Sequence, residues 1–308
     1  MRAVETFGVA FRRQGADFTR HAAFAAVVLG ALVWFWGPLA TVVNLSFMRE
    51  DYEHYSHIVA IPFMSLFLIY RDRAAIHAEV DGAPRLGALI IVGALMASWL
   101  PRVVSMHQES MWSLEMLLLV VTALGGFIAC YGLRAFRTAL FPLLFLLLMV
   151  PLPPSWVHVV IAWLQYWSAE TSAVIFEAIG VPFYRDGFLF ALPGLNIRIA
   201  EECSGIRSTL ALTIMGLLSG QLFLRKAWSR TALAAIVIPL GIFKNAVRIV
   251  VLSMLAIHVD PSFITGSVTH RFSGIPVFAM AFAILGGVIW VLQLVEARQA
   301  ARATGVSG

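Results

Sequence analysis

The chain has 308 residues, of which 60% are hydrophobic and 13% charged, with a formal net charge of +5. That balance excludes an ordinary soluble globular enzyme, leaves no room for a large water-exposed domain, and points to a polytopic membrane protein. The positive residues come in small clusters between apolar runs, the pattern of membrane-flanking loops and not of a nucleic-acid-binding surface.

In chain order, candidate spans run from about His21 to Phe47, Tyr55 to Tyr70, Leu86 to Val104, Met111 to Leu133, Thr138 to Val150, Ser204 to Leu224, Thr231 to Ile257 and Ile275 to Val295, about eight in all. The second and fifth are short for a bilayer core of about 30 Å. Residues 1–20 carry Arg2, Arg12, Arg13 and Arg20, too dispersed for a signal-peptide n-region, so no cleavable leader is expected. Basic groups at Arg71/Arg73/Arg85, Arg134/Arg137, Arg225/Lys226/Arg230 and Arg298/Arg302 then fall in alternate loops and at the C-terminus. The expected topology places both termini, 1–20 and 296–308, in the cytoplasm.

Trp156 to Ile179 decides that scheme. If it spanned alone, the basic loop after Leu224 would be forced outside. The segment also carries His158, Gln165, Ser168, Glu170, Thr171 and Glu177, and is expected to be an amphipathic helix lying at the outer face or dipping in from it, entered through a bend at Pro151, Pro153 and Pro154. Residues 180–202 then lie outside the membrane. Their alternating pieces around Gly and Pro turns predict a small extracytoplasmic hairpin. The fold class is an all-α polytopic membrane protein with that helix and hairpin added, and no internal repeat or linker divides 1–308 into more than a single domain.

Two cysteines are present. Cys130 lies in an apolar run without charged neighbours and reads as structural. Cys203 lies in Ala200-Glu201-Glu202-Cys203-Ser204-Gly205-Ile206-Arg207, where Ser204 and Gly205 disfavour a helix interior and an apolar run begins at Ile206. The thiol is therefore expected at a helix N-terminus, where the dipole and free N–H groups favour the thiolate. Arg207, four residues on, is expected on the same face with a further positive charge. In the seventh span, Lys244, Asn245 and Arg248 interrupt the apolar pattern, with Asn245 and Arg248 on one face. Arg248 lies about 25 Å along that helix from Thr231, in the outer part of the bilayer. A spanning cation normally faces a partner or a wet cavity, and the plainer alternatives are an ion pair with Glu170, Glu177, Glu201 or Glu202, or snorkelling to the interface. Lys244 lies deeper, as a structural partner. His270 precedes the last span at the same side; a lone interfacial histidine is ordinary, but with Cys203 and Arg248 it completes a nucleophile, a proton carrier and a cation, the parts of thiol acyl transfer.

These residues carry a resemblance. The stretch Ala200 to Ser208, the stretch Asn245-Ala246-Val247-Arg248-Ile249 and His270, supported by Tyr55-Ser56-His57, Met149-Val150-Pro151-Leu152-Pro153 and Val181 to Gly187, resemble the exosortase/archaeosortase family of membrane-embedded transpeptidases. The resemblance implies Cys203 as nucleophile, Arg248 as thiolate or oxyanion stabiliser and His270 as general acid/base, with Glu202, Ser204, Gly205, Arg207 and Asn245 in support. It implies no cofactor and no metal. The implied substrates are exported proteins with a C-terminal sorting signal made of a short motif, a transmembrane helix and a basic tail. Cleavage would occur on the extracytoplasmic side of a prokaryotic plasma (inner) membrane, with membrane lipid around it, an unknown acceptor nucleophile and no nucleic acid. Tyr184, Arg185 and Arg198 on the hairpin are the candidates for reading the motif.

Two other classes were weighed. A transporter or anion channel lined by Lys244, Asn245 and Arg248 lacks an inverted repeat and a through-path of polar residues. A metal hydrolase built from His54, His57, His107, His258, Asp260 and His270 lacks a helical His-Glu-x-x-His spacing.

Overall fold

A computed structural model describes residues 2–48, 55, 57–104, 106–260, 263 and 274–303, with the backbone alone at 2–16, 48, 102, 202 and 203. The chain divides into two compact units, Met1–Pro154 and Ser155–Gly308.

The first unit consists of helices α1 (Arg2–Trp34), α2 (Trp36–Met48), α3 (Ala60–Arg71), α4 (Arg73–Ala78), α5 (Pro84–Ala97), α6 (Leu100–Val103), α7 (Gln108–Thr138) and α8 (Leu140–Phe145), the last running into a 3-10 turn at Leu146–Met149. The long apolar run predicted from Met111 becomes α7, which buries Met116, Val120, Phe127 and Tyr131 along its length. Small residues bring α5 against it. A Cβ placed on Gly87 would stand 2.4 Å from Ala129 Cβ and 2.5 Å from the Gly125 carbonyl oxygen, so the two backbones are in direct contact. Cys130 is half-buried here among Phe24, Phe127 and Leu143, in the apolar setting that its neighbours predicted.

The second unit begins with α9 (Pro154–Ala178) and continues through strands β1 (Tyr184–Asp186), β2 (Leu189–Leu192) and β3 (Leu195–Arg198), a 3-10 turn at Glu201–Ser204, and helices α10 (Ile206–Phe223), α11 (Ala227–His258) and α12 (Gly274–Ala303). The expected hairpin is a three-stranded antiparallel meander in the order β1-β2-β3. The second turn, Pro193-Gly194 with Gly194 at φ 76°, adds the third strand. Arg185, Phe190 and Ile197 are paired across the strands on one face, while Asp186, Leu189 and Arg198 lie on the other and are exposed. The inner face packs Phe190, Leu192 and Ile197 on Ala169 and Phe176 of α9 and on Val250 of α11.

α9 is two-sided, and a seam of its polar residues turns inward. Gln165, Ser168 and Ser172 are buried, and the exposed side carries Trp156, Val159, Trp163, Trp167 and Val174. An exposed stripe of this kind suits lipid, and an inward polar seam suits protein partners.

Helices α10, α11 and α12 share a core of Leu212, Leu233, Val237, Leu240, Leu285 and Leu292. The connector between α10 and α11 is closed by Glu296 of α12, whose carboxylate accepts the backbone N–H groups of Arg225 at 3.1 Å and Lys226 at 2.8 Å. A carboxylate at the start of α11 also complements that helix's dipole.

Five helices are long and apolar enough to cross a membrane, within Asp17–Trp34, Gln108–Thr138, Ile206–Phe223, Ala227–His258 and Gly274–Ala303. A sixth span results if Leu140–Met149 and Pro154–Ala178 together make one broken crossing. Ala60–Arg71 and Pro84–Ala97 are shorter apolar helices.

The contact at Gly87 sets a prediction. Gly87→Ala forces the two helices apart and destabilises the protein by about 1–3 kcal/mol in detergent unfolding. Gly93→Ala, where nothing lies within 4 Å of the added Cβ, is neutral or stabilising by up to about 1 kcal/mol. Equal losses at both positions would contradict the packing described.

Candidate active site

Cys203 lies in the 3-10 turn Glu201–Ser204, immediately before α10. The chain enters from Ala200 in extended conformation (φ −77°, ψ 167°) and leaves through Gly205 in the left-handed region (φ 74°, ψ 17°). Only glycine adopts that region readily. Gly205 is required a second time for space, because a Cβ on it would stand 2.7 Å from Asn245 Oδ1 and 2.8 Å from Asn245 Cγ. The Cys-Ser-Gly turn and the asparagine of the Asn-Ala-Val-Arg stretch are therefore two halves of one contact. Further along the same seam, Thr209 Cγ2 would be 2.7 Å from a Cβ on Gly241, and Val237 Cγ2 would be 2.5 Å from one on Gly216. Helices α10 and α11 approach through small residues from Gly205 to Gly216 of one and from Val237 to Asn245 of the other.

The break at Gly205 corrects one expectation. Arg207 was placed on the face of Cys203 by counting four residues along a continuous helix; with a left-handed residue between them, that count does not apply. Arg207 is exposed in the first turn of α10.

Asn245 is 1% exposed, and its Nδ2 donates to Ser168 Oγ on α9 at 3.0 Å. One turn before Ser168 on α9, Gln165 Nε2 donates to the carbonyl of Ile199 at 2.5 Å, holding the strand that leads from β3 into the turn. Thus α9 fixes the approach to Cys203, and α11 fixes its exit. Arg248 is half-buried on the Asn245 face of α11. Glu170, one carboxylate considered for it, pairs instead with Arg185 Nη2 at 2.9 Å. The hydroxyl of Ser204, the residue after Cys203, is buried without a hydrogen-bond partner among the described residues.

A family model described as transmembrane exosortase matches residues 49–287, a stretch that contains Gln165, Ser168, Cys203, Gly205, Asn245 and Arg248. The chain belongs to the exosortase family. No curated protein and no solved structure was found to match it. Membership makes this exosortase a multi-pass membrane protein and, in general terms, a cysteine-type sorting transpeptidase or protease acting on exported proteins with C-terminal sorting signals.

The remaining residues of the exosortase site divide clearly. His270 lies outside the described residues, as do the side chains of Cys203 and Glu202. Tyr184 and Arg198 are exposed on the outer face of the sheet. Arg185 is on the inner face, where its guanidinium bonds Glu170, donates to the Gly187 carbonyl at 2.8 Å and lies over the Phe190 ring, so it fastens the sheet to α9. Lys244 is 3% exposed and donates to Ser208 Oγ. Among the described residues, no three His, Cys, Asp or Glu side chains are grouped to hold a metal ion; His57 and His258 each bond a backbone carbonyl.

Sequence reasoning passed over Gln165 and Ser168 as partners of the site. Their signal was present: Gln165, Ser168 and Ser172 recur at helical spacing on an otherwise aromatic and aliphatic helix. In a membrane protein such a stripe faces protein.

The double demand on Gly205 is testable. Gly205→Ala combines left-handed strain with overlap on Asn245, and destabilises the protein by about 2–4 kcal/mol in detergent unfolding. Gly187→Ala, with positive φ (58°) but nothing within 4 Å of the added Cβ, costs about 1 kcal/mol. Equal costs would mean that Asn245 does not press on Gly205.

Proposed function

We propose that this exosortase cleaves the C-terminal sorting signal of exported proteins on the extracytoplasmic side of a prokaryotic plasma membrane, through a thioester on Cys203. The observation that carries this reading is the contact of Gly205 with Asn245, which ties the cysteine turn to the helix face that bears Arg248. The Cys203 thiolate attacks the scissile carbonyl carbon. A C–S bond forms, the carbonyl electrons move to oxygen, and Arg248 with the hydroxyl of Ser204 steadies the oxyanion. Collapse breaks the C–N bond; His270 gives its proton to the leaving amine, and the transmembrane tail departs. An incoming amine, or water, then gives a proton to His270 and attacks the thioester, and the thiolate leaves. An amine acceptor makes the enzyme a transpeptidase, and water makes it a protease.

The accompanying topology has eight spans with both termini cytoplasmic. α9 lies within the bilayer with its polar seam toward protein, and the meander and the Cys203 turn lie at the outer surface. Tyr184 and Arg198, on the exposed face of the sheet that leads into the Cys203 turn, read the sorting motif, while Arg185 positions that sheet. Glu202 and Arg207 flank the turn as supporting charges.

A gel-shift assay on a co-expressed exported substrate with a C-terminal helix and basic tail tests the assignment. Cys203→Ala abolishes processing, Arg248→Ala and His270→Ala lower it by at least about 100-fold, and Cys130→Ala stays within about twofold of wild type. Equal loss from the two cysteine variants would overturn the nucleophile.

A further inference from the structure

Lys244 has no part in the chemistry above, yet its setting is poor for a lysine that serves only the fold. It is 3% exposed, and among the described residues its ammonium donates to the neutral hydroxyl of Ser208 and meets no carboxylate. Ser208 is in the first turn of α10, so the cation stands at the positive end of that helix's dipole. Arg248, four residues along α11, adds a second positive charge on the same face. A buried cation opposed by a helix dipole and a like charge carries a large desolvation cost, against which the described residues set one neutral hydroxyl. A side chain of similar length without charge would suit the fold better.

The arrangement suits a place where negative charge develops. The Ser208 hydroxyl that accepts from Lys244 donates in turn to the Gly205 carbonyl at 3.1 Å, and Gly205 is two residues from Cys203. Linked hydrogen bonds of this kind polarise one another in a low-dielectric setting. We propose that Lys244 is a positioning residue of the Cys203 centre: acting through Ser208, it fixes the Gly205 junction and sets a buried positive charge behind the turn that favours thiolate and oxyanion. The proposal rests on Cys203 being the nucleophile, and it assigns to Lys244 a function where the sequence suggested only a structural partner.

The test uses the full chain in the Cys130→Ala background, so that Cys203 is the single thiol, and compares Lys244→Met and Ser208→Ala with their parent. Three quantities are measured: the alkylation rate of Cys203 by iodoacetamide at pH 7, the thermal midpoint in detergent, and processing of the sorting-signal substrate. Lys244→Met lowers alkylation and processing by about tenfold or more while the midpoint holds or rises, and Ser208→Ala gives a smaller loss of the same kind. Unchanged alkylation overturns the proposal, and so does a midpoint that falls together with processing, which marks a structural role. Alkylation does not depend on the substrate reaction. If Cys203→Ala still processes substrate, the nucleophile assignment fails by itself, whereas unchanged alkylation in Lys244→Met removes only the role of Lys244.

Discussion

The second unit of this exosortase depends on a contact between one glycine and one asparagine. Gly205 must be glycine because its backbone is left-handed and because Asn245 occupies the volume that a side chain would fill. The contact fixes where α10 starts and how the Cys203 turn leaves it. It also fixes the rotation of α11, since an asparagine facing Gly205 obliges Arg248, three residues on, to lie on that same side. Asn245 in turn bonds Ser168, so α9 is bound into the arrangement. The chain segment that carries Cys203 is thereby held between two helices by hydrogen bonds of Asn245 and Gln165.

Polar residues in this unit are directed inward. In a soluble protein, the amide and hydroxyls of α9 would turn to water and its tryptophans to the core; here Gln165, Ser168 and Ser172 are buried and the tryptophans are exposed. The inversion is the one that a hydrocarbon solvent favours, because hydrocarbon offers no hydrogen bonds to a polar group and no penalty to an indole. The same economy appears at the other end of α10, where Glu296 receives the two backbone N–H groups of the connector. Each end of α10 is thus completed by a neighbouring helix: Asn245 and Lys244 at its start, Glu296 just beyond its end.

How much of this was legible in the sequence depends on whether the signal is local. The turn at Cys203 was legible, because Ser-Gly before an apolar run marks a helix start by itself. The apolar runs of α7, α10, α11 and α12 were legible for the same reason. The partnership of Gly205 with Asn245 was not, because the two residues are far apart in the chain and nothing in either stretch specifies how the helices approach. The side that α9 buries was not legible: periodicity shows that a polar stripe exists, but whether it faces water or protein depends on what packs against it. Arg185 and Arg198 look alike in sequence and differ by the alternation of a strand register, which places one over Phe190 and the other outward.

The most direct measurement of the central claim is the mass of the covalent intermediate. Full-length enzyme quenched during turnover and digested should yield the peptide containing Cys203 with the N-terminal product of the substrate attached by a bond that neutral hydroxylamine cleaves, as a thioester requires. An adduct on any other residue, or continued processing with an unmodified Cys203 peptide throughout turnover, would contradict thiol acyl transfer at this turn.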